Sequence, residues 1–253
     1  MRIATKAAML FTAAVMLVLP LRVAHAQLVS VPALVHGQDE AMRVDNLAVT
    51  KGGGGSATNA LTTIYDNASA TPQFGIVSTD LTSIWGDELF TTAAGLVSTN
   101  KFTIFNAATN VGSLLTASVS VSFFDAVTST PLGGYSGNIN FGAGLPAGSF
   151  SVITATGLDP FLIVLNTTDI VVTQQVTATT GATNRLGIVS MGPILVGSSP
   201  TSMYINSSTI GGGVPGFYTS ASGPANPGYL IAVNPPPVST QSKTWSSLKK
   251  LYR

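Results

Sequence analysis

Apolar and polar residues alternate with a period of two along much of this chain. The clearest run is 115–123, where Leu115, Ala117, Val119, Val121 and Phe123 alternate with Thr116, Ser118, Ser120 and Ser122. That spacing predicts a β-strand with one face buried and the other wet. Residues 170–178 repeat it, with Ile170, Val172, Val176 and Ala178 inward and Gln174 interrupting the inward row. Shorter runs predict strands over 61–65, 101–106, 138–141, 149–156, 161–165, 185–190, 202–205, 216–219 and 228–233. Turn-forming clusters separate them: Leu132-Gly133-Gly134, the stretch from Gly142 to Gly148, Asp159-Pro160, the stretch from Gly197 to Pro200, and Gly211-Gly212-Gly213. Many short strands with Gly/Pro turns and no helical period predict an all-β domain, an antiparallel β-sandwich or jelly roll. No fixed repeat is visible, which argues against a solenoid or propeller.

The same pattern divides the chain into four parts. Residues 1–26 read as a signal peptide: Arg2 and Lys6, an apolar run from Ala7 to Leu19, Pro20, and a small-x-small Ala24-His25-Ala26. The run falls short of the ~20 residues that cross a bilayer. Residues 27–58 form an N-terminal strand extension in which Val29, Val31, Ala33 and Val35 share one face. A second strand-like run, 44–50, follows, and then the flexible tether Lys51-Gly52-Gly53-Gly54-Gly55-Ser56. Residues 59–233 hold the sandwich. Residues 234–253 begin with the stiff spacer Pro235-Pro236-Pro237 and end in a short basic helix. Trp245, Leu248 and Leu251 fall on one side of that helix and call for an apolar partner surface.

Composition narrows the function. Only 8% of residues are charged, against roughly 25% in an ordinary soluble domain. Cleavage after Ala26 removes Arg2, Lys6 and Arg22 from the 11 basic residues and none of the 10 acidic ones, so the mature chain turns mildly acidic. No basic patch suits nucleic acid, and no further stretch is long and apolar enough to span a membrane. Cys is absent, so an exported fold here relies on its core and not on disulfides.

Candidate chemistry is sparse, and the expectation is no enzyme, metal or cofactor. His36 is the one histidine of the mature chain and reads as solvated. Ser190 stands one residue out of register with a G-x-S-x-G elbow and lies in strand context. Asp66, Asp80, Asp87 and Glu88 form the one concentration of carboxylates; a structural Ca²⁺ or a glycosidase pair is the sharper reading, solvated loop acids the simpler. Sequons begin at Asn67, Asn166 and Asn206, so glycans are a partner to consider.

Two resemblances follow from these residues. The body with Pro235-Pro236-Pro237 and Lys249-Lys250 followed by Arg253 resembles exported bacterial β-sandwich proteins of unknown function that end in a short sorting tail, although the hydrophobic membrane helix of such tails is missing. The layout of extension, Gly hinge and sandwich resembles fibre subunits that assemble by donor-strand exchange. That resemblance implies Val29, Val31, Ala33 and Val35 as a donor face completing the next subunit's sheet. Pro32 counts against it, because proline keeps to edge strands and bulges. The alternative is that the extension folds back as an edge strand of its own domain.

The expected function is a non-enzymatic extracellular or cell-surface structural subunit that self-assembles into a filament or layer. The alternative is a secreted monomeric module binding carbohydrate or a surface through exposed aromatics drawn from Trp85, Tyr135, Phe217, Tyr218 and Tyr229. N-terminal sequencing of secreted protein is expected to start at Gln27. A retained residue 1 would overturn the export reading.

Overall fold

The computed structural model describes residues 60–234, apart from 79–80, 182–184, 211–212 and 221, together with four two-residue strands in the N-terminal extension. Those four are β1 (Gln27–Leu28), β2 (Ser30–Val31), β3 (Val35–His36) and β4 (Glu40–Ala41). The expectations for the signal peptide, the run at 44–50, the tether and the tail lie outside the described residues.

The body is all β. Its strands are β5 (Thr62–Asp66), β6 (Thr71–Ser78), β7 (Ile84–Phe90), β8 (Gly95–Asn106), β9 (Leu114–Asp125), β10 (Pro131–Leu145) and β11 (Ser149–Thr156). They are followed by β12 (Val164–Leu165), β13 (Asp169–Gly181), β14 (Leu186–Gly192), β15 (Ser202–Asn206), β16 (Gly216–Ser220) and β17 (Tyr229–Asn234). The first sheet runs β1-β16-β15-β7-β13-β9-β10. The second runs β2-β6-β14-β8-β11-β3, with β17 also on β8, β5 on β17 and β4 on β11. Every pairing between body strands is antiparallel.

The alternation explains the interior. Ala117, Val119, Val121 and Phe123 of β9, with Ile170 and Val172 of the neighbouring β13, join Phe102 and Ile104 of β8 and Ile231 and Val233 of β17 in one buried cluster. Each such aliphatic or aromatic side chain contributes about 1.5–3 kcal/mol by leaving water. A second cluster, with Phe74, Ile76, Trp85, Met203 and Tyr218, fills the side where β6 and β16 lie.

Several local readings need correction. Leu115 is 44% exposed and Leu114 is buried in its place, because β9 carries an extra residue against β13 there, with Thr116 and Leu114 opposite the consecutive Thr180 and Gly181. A second bulge, between Val176 and Ala178, turns Ala178 outward. Gln174 belongs to the inward row: buried, it donates from Nε2 to the Thr103 carbonyl at 2.9 Å. The glycines read as turns at 133–134 and 142–144 lie inside the long strand β10. Residues 159–161 form a 3-10 turn, leaving strand only at β12. Strands β6 and β7 escape a periodicity reading because Pro72, Gly75, Gly86 and Asp87 break their apolar rows.

Two glycines are demanded by close approach. A Cβ on Gly75 would sit 2.5 Å from the Phe105 ring, and one on Gly187 would sit 1.8 Å from the Ile76 carbonyl oxygen. Gly187→Ala is therefore expected to push β6 from β14 and to cost on the order of 3 kcal/mol, the upper end for overpacking. A denaturant midpoint equal to that of the parent would overturn this strand register.

Candidate functional site

No catalytic arrangement emerges from the described residues, so the sheet edges and outer faces are the surfaces to weigh. Strand β11 carries β8 on one side. Its other edge takes the extension in parallel: Val35 opposite Ser149, His36 opposite Phe150, Glu40 opposite Ile153 and Ala41 opposite Thr154. Strand β2 lies antiparallel on β6, with Ser30 opposite Ile76 and Val31 opposite Gly75. Strand β1 lies parallel on β16, with Gln27 opposite Thr219. Of the donor-face candidates, Val31 and Val35 thus fall in strands set against this chain's own sheets. Val29 and Ala33, and Trp245, Leu248 and Leu251 of the tail, lie outside the described residues.

The second sheet is apolar on its outer face as well. Phe105, Phe150, Val152, Val189 and Met191 cluster there with Ala68, every one buried, and Val77 and Leu230 pack against them. The Phe105 ring reaches across to Gly75, while Thr103 Oγ1 accepts from the Val189 N–H at 3.1 Å. That side-chain bond joins β8 to β14 beyond the two places, Asn106 with Leu186 and Phe105 with Gly187, where their backbones pair. A hollow of about 380 Å³ opens beside the cluster, lined by Ala68, Pro72, Lys101, Phe150, Val152 and Met191 among others.

On the outer face of the first sheet, Phe124, Tyr204 and Phe217 border a hollow of about 330 Å³ with Thr173 and Asp125. The Tyr204 and Phe217 rings meet edge-on, 5.6 Å apart at 67°. Of the aromatics expected to bind ligand, Trp85, Tyr135, Tyr218 and Tyr229 are core residues, and only Phe217 stands at this hollow. Sequence reading missed Phe124 and Tyr204; the signal was their place on the polar phase of β9 and β15. The Asp125 carboxyl is held below the usual range by the backbone N–H and hydroxyl of Thr128 and by the Val127 N–H.

The carboxylates do not converge. Asp66 Oδ1 accepts from the Ser69 N–H at 3.0 Å and shapes a turn. Asp87 points into the core, where burial pushes its carboxyl well above 3.8 despite the Ser199 hydroxyl donating to Oδ2 at 2.8 Å. The same burial, with Asp87 nearby, raises the Tyr65 and Tyr229 phenols. Glu88 is raised by partial burial and by its hydrogen-bonded neighbour Asp169. Two carboxyls in hydrogen-bond contact stand too close to flank a glycosidic bond, which needs about 5 Å or more. Asp80 lies outside the described residues. Among the described residues no three His, Asp or Glu side chains group as a metal site, and no helix is long and apolar enough to cross a membrane.

Ser190 is buried and its hydroxyl donates to the Pro224 carbonyl at 2.8 Å, a structural bond in strand β14. The first sequon is sealed by the fold. Asn67 is fully buried, donating to the Pro227 carbonyl at 3.0 Å and accepting from the Tyr229 N–H at 2.7 Å. Asn166 is exposed and Asn206 half-buried. Comparison with known proteins finds no match: no family model, curated protein or solved structure is similar to the chain.

Asp87 gives a pH-dependent expectation. Its folded-state pKa lies above the unfolded value, so its contribution is whole below about 3.8 and is lost as pH rises through the folded pKa. An amide cannot ionise. Asp87→Asn should therefore gain on the parent as pH climbs from 4 to 7, by up to about 1.4 kcal/mol per pH unit. Urea unfolding at both pH values measures this. Parallel stability curves would mean that Asp87 is ionised in the fold.

Proposed function

We propose that the protein is an exported, non-enzymatic structural subunit that assembles with copies of itself into a filament or surface layer, the N-terminal arm of one copy closing the sheet edges of the next. One observation carries the reading. The body strands pair antiparallel throughout, yet the edge of β11 is closed by parallel pairing to β3 and β4. Parallel neighbours cannot be joined by a hairpin and need a long crossover. The closing segment is thus an appended arm, and the Gly52 to Gly55 tether behind it in sequence lets it reach outward. A neutral surface rich in Ser, Thr and Asn adds little like-charge repulsion between copies. A jelly-roll winding and a docking helix in the tail, built on Trp245, Leu248 and Leu251, belong to the same proposal.

A monomeric carbohydrate-binding module is the second reading. The hollow bordered by Phe124, Tyr204 and Phe217, with the Asp125 carboxylate beside it, favours it. Aromatic rings offer a face to a sugar's C–H groups and a carboxylate accepts from its hydroxyls.

Negative-stain microscopy of secreted protein separates the two. Filaments or sheets are expected, and deletion of residues 27–35 should leave dispersed particles. Val31→Asp should weaken the junctions by several kcal/mol, the cost of an unpaired charge placed in the apolar row of the donor strand. Dispersed particles from intact protein would reject assembly and favour the binding module. Filaments that survive the deletion would reject the arm as the joint.

A further inference from the structure

The second sheet carries buried apolar side chains on both faces, Phe102 and Ile104 on one side of β8 and Phe105 on the other. Such a face needs a covering layer. The outer patch is made by Phe105, Phe150, Val152, Val189 and Met191, with Ala68 beside it. The N-terminal arm touches both margins of that patch: Val31 pairs on β6 at one edge, and Val35 pairs on β11 at the other. From Val31 to Val35 is four residue steps, at most about 14 Å of chain. Laid flat, the five strand spacings between β2 and β3 would span about 24 Å. The sheet is therefore curled, bringing its two edges within reach of one short span of chain. The Phe105 ring lying against Gly75, two strands away, is the mark of that curl.

We infer that this outer apolar face, bounded by the edges of β6 and β11, is the acceptor seat for the arm strands at residues 30–41. In a single chain the seat is held by the chain's own arm, and in assembled protein by the arm of a second copy. The inference rests on the assembly reading above and adds to it the face and register of the joint. Three features fit an arm of this composition. The seat is apolar, like Val29, Val31, Ala33 and Val35. Its β11 edge, Ser149–Thr156, carries no charge and no proline that would turn an incoming strand away. The hollow beside it, at Lys101, Phe150 and Met191, leaves room for side chains to enter without repacking the core.

The chain has no cysteine, so disulfide trapping reads the seat directly. Ala41 stands opposite Thr154 and Val35 opposite Ser149, within disulfide reach for paired strands. Full-length secreted Ala41→Cys and Thr154→Cys proteins, mixed under assembling conditions and oxidised, should give a linked dimer of one of each. Val35→Cys mixed with Ser149→Cys should do the same. A chain carrying both substitutions of a pair, kept dilute, should instead close an internal bond. Failure of both double variants to close would reject the seat itself. Internal closure without mixed dimers, in samples where microscopy shows filaments, would reject exchange at this seat while the assembly reading stands. Internal closure with neither mixed dimers nor filaments would confirm the seat within one chain and reject both exchange and assembly.

Discussion

A β-sheet with two apolar faces cannot form an outer layer, and the second sheet of this protein has two apolar faces. Strand β8 shows the cause in three residues. Phe102 and Ile104 point into the sandwich, Phe105 points away from it, and each is fully buried. Burying an aromatic ring on the far side demands room, which the missing side chain of Gly75 supplies, while that of Gly187 lets the β14 backbone come close to β6. Ala68, in the turn after β5, packs into the same cluster, and the arm strands β2 and β3 pair at the two margins of the sheet. An ordinary sandwich, wet on both outer faces, would need none of these.

With 8% of its residues charged, the protein fixes its strand registers with amides and hydroxyls. Asn67 clamps the chain before β17 from a turn at the other end of the body. Asn106 donates to the carbonyls of Gly112 and Leu145, holding the β8–β9 connection to the end of β10. Asn100 donates to the Leu230 carbonyl at 2.9 Å and accepts from the Tyr135 hydroxyl at 2.6 Å, tying three strands through one side chain. All but the Tyr135 bond answer a backbone group, and each would leave a costly buried orphan if the register slipped. Such pins give a neutral protein the specificity that ion pairs give others, without the cost of desolvating charge.

Much of the fold was legible where alternation was strict. Strand β11 falls on the expected 149–156, and the inward row Ala117, Val119, Val121 and Phe123 points where the period places it. Misreadings arose where one residue breaks the period: the bulges that exchange Leu115 for Leu114 and expose Ala178, and the glycines and Asp87 that disguise β6 and β7. The candidate seat was half legible. Val31 and Val35 of the arm stand out by alternation, but their partner surface does not, because it is assembled from strands distant in sequence. Its signal was the doublets Ile104-Phe105, Val152-Ile153, Ile188-Val189 and Leu230-Ile231. Adjacent apolar residues in a strand bury both faces, whereas alternation buries one. Exposed aromatics could not be chosen from sequence, since Tyr135 and Phe217 differ only in the phase of their strands.

The energetics of exchange follow from the arm being attached to the chain it covers. In the proposed exchange a neighbour's arm would make the same backbone pairs as the chain's own, so those contacts would cancel between the two states. What remains is the difference between an intramolecular and an intermolecular encounter. Tethering through the chain would hold a copy's own arm at an effective concentration in the millimolar range, so dilute protein would keep its uncharged β11 edge covered. Exchange would gain where chains accumulate to a comparable local concentration, or if the crossing of four residue steps between Val31 and Val35 costs strain in a single chain. The reach of about 14 Å available to that crossing therefore matters more than the apolar area of the seat. Area stabilises both states alike, whereas strain acts on one of them.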